Sequence, residues 1–131
     1  MIPAKDVTEI ARARLEDANI LLASKRYDGA IYLCGYAVEL ALKAKICRVL
    51  NWAGYPSTSG EFKDYLSFRT HDLDVLLHLT GREEFVKTSL LTEWSAVAQW
   101  NPNARYQTIG TTKEPDARLM ISAAKLLLEK I

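Results

Sequence analysis

Glu39 is the only charged side chain between Gly29 and Leu42. Burying a carboxylate in so apolar a run costs on the order of several kcal/mol unless it finds a partner or a proton. Lys43 stands four residues further on, the favourable order for an intrahelical ion pair. Two uses of that pair are open. It is a salt bridge at the edge of the core, or Glu39 orients a basic residue from another helix inside a polar pocket. His71 and His78 lie seven residues apart, on one helix face but two turns from each other. They cannot share a metal ion, and neither has a second His or Cys ligand at helical spacing, so no metal and no cofactor is expected. In its structural role His71, between the capping candidate Thr70 and Asp72, closes the start of a helix. Arg105-Tyr106 falls in a loop after Trp100, where a rigid scaffold can present a guanidinium to Glu39 or to a phosphate. Glu39, Lys43, His71, Arg105 and Tyr106 are therefore the candidate ligand-binding residues. Lys45 and Arg48 form a small basic pair that reads as a solvated face. No phosphate-binding loop, dinucleotide fingerprint or nucleophile elbow is present.

These side chains need a scaffold, and the segment Tyr27–Leu50 supplies its centre. It has no proline and is apolar on most of its circumference, which marks a helix wrapped by others. Before it, Ala11, Leu15, Ala18 and Leu22 recur at helical spacing and predict a first helix over Val7–Ser24. A short link then leads to Asp28 as N-cap of the second helix, so the two run antiparallel. The second helix is expected to end near Trp52, with Gly54 as its cap. The long connection 54–70 begins with turn formers and continues with Phe62, Tyr65, Leu66 and Phe68, a short helix or a flap; as a connection it is either functional or a plain surface loop. A third, short helix runs from Thr70 to Gly81. A fourth runs from Glu83 to Trp100, with Val86, Leu90, Trp94 and Val97 as its stripe. A fifth fills Pro115–Ile131, its start set by Pro115 or by a Thr111–Glu114 capping box. No segment alternates as a strand would. The expected fold is all-α, an up-and-down four-helix bundle with one additional short helix, in a single domain over residues 1–131.

Composition narrows the classes further. With 17 basic and 16 acidic residues the net charge is +1, so binding to nucleic acid or a membrane would need a local patch. The residues Met1–Lys25 carry charges throughout and do not read as a signal peptide. Glu39, Lys43 and Lys45 interrupt the central run and make it a poor membrane span. Cys34 and Cys47 are about 20 Å apart along one straight helix, too far to bridge each other. They read as buried thiols of a cytoplasmic protein.

Four segments together are similar to a known family. They are AxxRLxDAxxLL from Ala11, RYDGAIYLCGYAVELALKA from Arg26, THDLDVLL from Thr70, and Trp100 followed by NPNARY. In that order they resemble the HEPN superfamily of small prokaryotic helical domains. The resemblance implies the four-helix bundle with its extra short helix and a homodimer formed through apolar helix faces. It also implies a nucleotide or RNA ligand, a nucleotidyltransferase partner, and a toxin–antitoxin setting. The nuclease branch carries an arginine followed, after four to six residues, by a histidine. Neither His71 nor His78 has an arginine at that distance. The expectation is a non-catalytic module that binds a nucleotide, RNA or a nucleotidyltransferase beside the second helix. One alternative is a metal-independent ribonuclease that pairs Arg105 with His71; another is a pure protein-interaction bundle.

Overall fold

In the computed structural model, which describes residues 1–131, the chain forms α1 (Ala4–Ala23) and then α2 (Tyr27–Leu50). Three residues join them, and Lys25 turns the chain with a φ of 62°. So short a link folds the helices back along each other. Helix α1 begins three residues earlier than expected, directly after Pro3, whose ring leaves no N–H to satisfy. Two short strands, β1 (Ile2–Pro3) and β2 (Gly54–Tyr55), pair antiparallel, Ile2 opposite Tyr55 and Pro3 opposite Gly54. They tie the start of α1 to the chain leaving α2. This pairing gives Gly54 a role other than the helix cap expected of it. A Cβ at Gly54 would lie 2.5 Å from the Ile2 carbonyl oxygen, so glycine is needed for the close approach. The cap of α2 is Asn51, held in the left-handed region at φ 55°.

The rest of the chain packs around α2. The connection after β2 ends in a 3-10 turn at Leu66–Phe68, where Trp52, Tyr55, Phe62, Tyr65 and Phe68 form an aromatic cluster. Helix α3 (Leu73–Leu79) starts later than expected. Asp72, not Thr70, accepts the N–H groups of Asp74 and Val75 and caps it. The Thr70 hydroxyl instead accepts the N–H of Asp72.

The fourth helix of the bundle is not continuous: α4 (Glu83–Ser89) and α5 (Leu91–Val97) meet at Leu90, whose φ and ψ are −130° and 32°. Just before that joint the Thr88 hydroxyl donates to the Glu84 carbonyl, the local competition that bends helices at serine and threonine. Val86, Leu90, Trp94 and Val97 are all buried across the break, so the expected stripe survives it. A 3-10 turn over Pro102–Tyr106 follows, and then α6 (Glu114–Lys130), with Pro115 in its first turn and no side-chain capping bond.

One hydrophobic cluster of 24 buried residues draws on every helix, with Cys34, Val38, Leu42 and Ile46 of α2 at its centre. The molecule is an all-α bundle with a two-strand clasp. Cys34 and Cys47 are unpaired and buried. Burial pushes the Cys34 thiol up to about 12, and the Cys47 thiol also upward. Neither thiol therefore has the thiolate character of a nucleophile. No helix is long and apolar enough to cross a membrane.

Candidate functional site

One stripe of α2 carries Tyr32, Tyr36, Glu39 and Lys43, spaced four, three and four residues apart and therefore aligned on one face. Glu39 is 2% exposed, a carboxylate in the core. Its Oε2 accepts from the Lys43 ammonium at 2.9 Å. The Nδ1 of His71 lies 3.0 and 3.2 Å from its two oxygens. A carboxylate can only accept, so Nδ1 carries the hydrogen. That leaves the other ring nitrogen, Nε2, as acceptor in the neutral imidazole and donor in the imidazolium. The buried acid thus has both intrahelical and long-range company, and it fixes His71, whose side chain is 60% exposed.

Lys43 and His71, with Glu39 buried behind them, line one wall of a cleft of about 510 Å³. Thr70 and Arg69 extend the polar side, while Leu40, Tyr55 and Phe62 supply apolar lining. Lys43 Nζ sits 5.2 Å from the centroid of the Tyr55 ring, and the Arg69 guanidinium 5.7 Å from that of Phe62. Aromatic faces attract cations at this range and here hold both charges at the cleft. Arg69 makes no ion pair. Lys43 and Arg69 against the single carboxylate of Glu39, which pairs with Lys43 and not with Arg69, leave an excess positive charge at the polar side. Chemically, this suits one or two phosphate oxygens.

Past His71 lies a second cavity of about 270 Å³, lined by Asp72, Gln99, Trp100, Asn101 and Pro102 among others. His71 is common to both. Trp100 is 8% exposed, and its ring rests directly on α2 at Gly35. Tyr36 meets the indole edge-on at 5.2 Å between centroids and meets Tyr32 at 5.1 Å. The Trp100 indole N–H has no hydrogen-bond partner. Burial raises the Tyr36 phenol above its ordinary value, helped by the Tyr32 hydrogen bond and the Glu39 charge.

Glu39, Lys43 and His71 come together as the sequence suggested; Arg105 and Tyr106 do not join them. Glu39 pairs with Lys43 and His71, not with Arg105. Arg105 lies in the 3-10 turn with its guanidinium 4.7 Å from the centroid of the Tyr106 ring. Hydrogen bonds with Tyr106 and Tyr32 raise it above the ordinary arginine value. Neither Arg105 nor Tyr106 lines the cleft or the second cavity. Nor does His71 close the start of α3, since Asp72 does. Sequence reasoning passed over Arg69 and Thr70, although they adjoin His71. Asn101 lies in the NPNARY segment but had no role there, and Gln99 had no signal, because the turn after α5 brings both beside His71. No cluster of metal-ligating side chains is present.

Residues 4–60 match the family model of the HEPN domain, covering α1, α2, β2 and the start of the connection that walls the cleft. No curated protein and no solved structure matches the chain.

Proposed function

We propose that the chain is a HEPN-superfamily protein, a reading supported by the match of residues 4–60 to the HEPN domain model, and that it is a non-catalytic module that binds a nucleotide or short RNA through phosphate, in the cleft formed by Lys43, Arg69, Thr70 and His71. The observation that carries this reading is the Glu39 carboxylate, which is buried and holds Lys43 and His71 in place beside an unpaired Arg69. Pre-positioned cations bind phosphate without first losing side-chain freedom. The cleft is also wide enough for more than the phosphate group.

A ribonuclease reading has one observation in its favour. A histidine oriented by a carboxylate, with its second nitrogen outward, is the arrangement of a general base. Its phosphate-binding neighbours would then be Lys43 and Arg69 rather than Arg105. Cleavage through the 2′-hydroxyl also needs a general acid at the leaving oxygen, and the cleft offers a single imidazole. Binding is therefore the better-supported reading.

The nucleotidyltransferase partner, the homodimer, the toxin–antitoxin setting and the cytoplasmic location are parts of this proposal that rest on the family. That residues 1–131 form one domain is likewise proposed; the shared core supports it.

Calorimetry with inorganic phosphate, AMP, GTP and a six-nucleotide RNA tests the reading. Binding should weaken about tenfold, equivalent to about 1.4 kcal/mol, in Arg69→Gln and again in Lys43→Met. No binding by the free protein or with a co-expressed nucleotidyltransferase would remove it. RNA cleavage by the wild type that is lost in His71→Ala would replace it with the ribonuclease.

A further inference from the structure

The cleft has a neighbour whose chemistry differs from its own. Both cavities share His71, so a ligand anchored by phosphate at Lys43 and Arg69 can pass over the exposed imidazole into the space beyond. That space holds no cation besides His71. It holds Asp72, whose carboxylate accepts the Asp74 and Val75 N–H groups and would repel a second phosphate. Its remaining polar groups are amides. Asn101 uses its Oδ1 to accept the Asn103 N–H, which leaves its NH2 group free to donate. Gln99 is exposed and makes no side-chain hydrogen bond, so both its donor and its acceptor are available. The buried indole of Trp100 gives a flat apolar wall that α2 cannot yield, because it lies on Gly35. Amides that offer paired donors and acceptors beside a flat wall suit an uncharged, planar, hydrogen-bonding ring.

We propose that the cavity between His71 and Asn101 is a nucleobase pocket, in which Gln99 and Asn101 read the ring edge of a 5′-mononucleotide whose phosphate lies at Lys43 and Arg69. This rests on the phosphate reading of the cleft and adds to it the place where the base of the ligand is held and the side chains that read it. The ribose would cross His71, and the two subsites would make recognition depend on both ends of one small molecule.

The test is titration of the free protein with ribose 5-phosphate, AMP, GMP, CMP and UMP, for the wild type and for Gln99→Leu. The change keeps the side-chain size at an exposed position and removes the amide. At least one nucleotide should bind about tenfold more tightly than ribose 5-phosphate. In Gln99→Leu that advantage should shrink several-fold, with ribose 5-phosphate unchanged. Nucleotide, but not ribose 5-phosphate, should also shift the Trp100 indole N–H resonance. Equal binding of ribose 5-phosphate and all four nucleotides would overturn the base pocket and leave the phosphate cleft standing. So would a nucleotide preference untouched by Gln99→Leu, with the indole resonance unmoved. Failure of every compound, ribose 5-phosphate included, would overturn the cleft and the pocket with it.

Discussion

Glu39 shows how far a single residue can be read from its neighbours. Its isolation in an apolar helix requires a partner, and Lys43 one turn on is the partner helical geometry offers. His71, 32 residues away, is a contact only the folded chain can make. Glu39→Ala leaves the Lys43 ammonium unpaired in a largely buried position. It should destabilise the protein by about 3 kcal/mol, read as a lower urea midpoint with unchanged slope. Glu39→Gln keeps an acceptor and should cost less. Asp28 gives a pH prediction of definite sign. Its carboxylate accepts the Gly110 and Thr112 N–H groups at 2.7 and 3.0 Å, and these bonds hold it below its ordinary value of 3.8. A depressed carboxylate contributes stability that is present above the unfolded value and lost as pH falls through the folded one. Amide resonances of residues 107–113 should therefore shift on acidification below about pH 4, while α1 and α2 still hold. In Asp28→Asn that acid step should vanish.

At the scale of the element, long helices were legible and their ends were not. Periodicity locates α1 and α6, and a run apolar on nearly every side locates α2, because both patterns are local properties of the sequence. Ends depend on which of several competing groups reaches the last free N–H or C=O. Asn51 took the left-handed cap position and Gly54 was used by β2, a pairing with residues more than fifty positions earlier. Asn51→Gly should be neutral or slightly stabilising, whereas Asn51→Ala should cost about 1 kcal/mol, both measured by chemical denaturation. Gly35 is the more telling case. Glycine inside a helix ordinarily costs about 1 kcal/mol relative to alanine. Here a Cβ would lie 2.1 Å from the Trp100 ring, which fixes the indole against α2. Gly35→Ala should therefore destabilise by about 2 kcal/mol despite its better helix propensity. A red shift of tryptophan emission should accompany the loss as Trp100 is displaced. An alanine variant more stable than the wild type would show that the ring can move aside freely.

The whole molecule has almost no net charge, so any attraction for a phosphate must come from a local patch. With Lys43 and Arg69 as the only permanent cations of the cleft, short single-stranded RNA should show a log–log salt slope of about −1.4. A slope steeper than about −4 would mean a much broader basic surface. Ligand binding should also raise thermal stability, by about 2.7 kcal/mol at a hundredfold excess over Kd, and Arg69→Gln, binding about tenfold more weakly, should lose about half of that shift at the same ligand concentration. The all-α class, the central place of α2, the buried thiols and the pairing of Glu39 with Lys43 followed from the sequence alone. Each reflects hydrophobic periodicity or the cost of burying a charge, and both are local. The tertiary structure decided that His71 rather than Arg105 meets Glu39, that Arg69 and Thr70 share its cleft, and that Trp100 closes against Gly35. Those contacts join segments far apart in the chain, and their distances are set by how the helices pack, which no local pattern encodes.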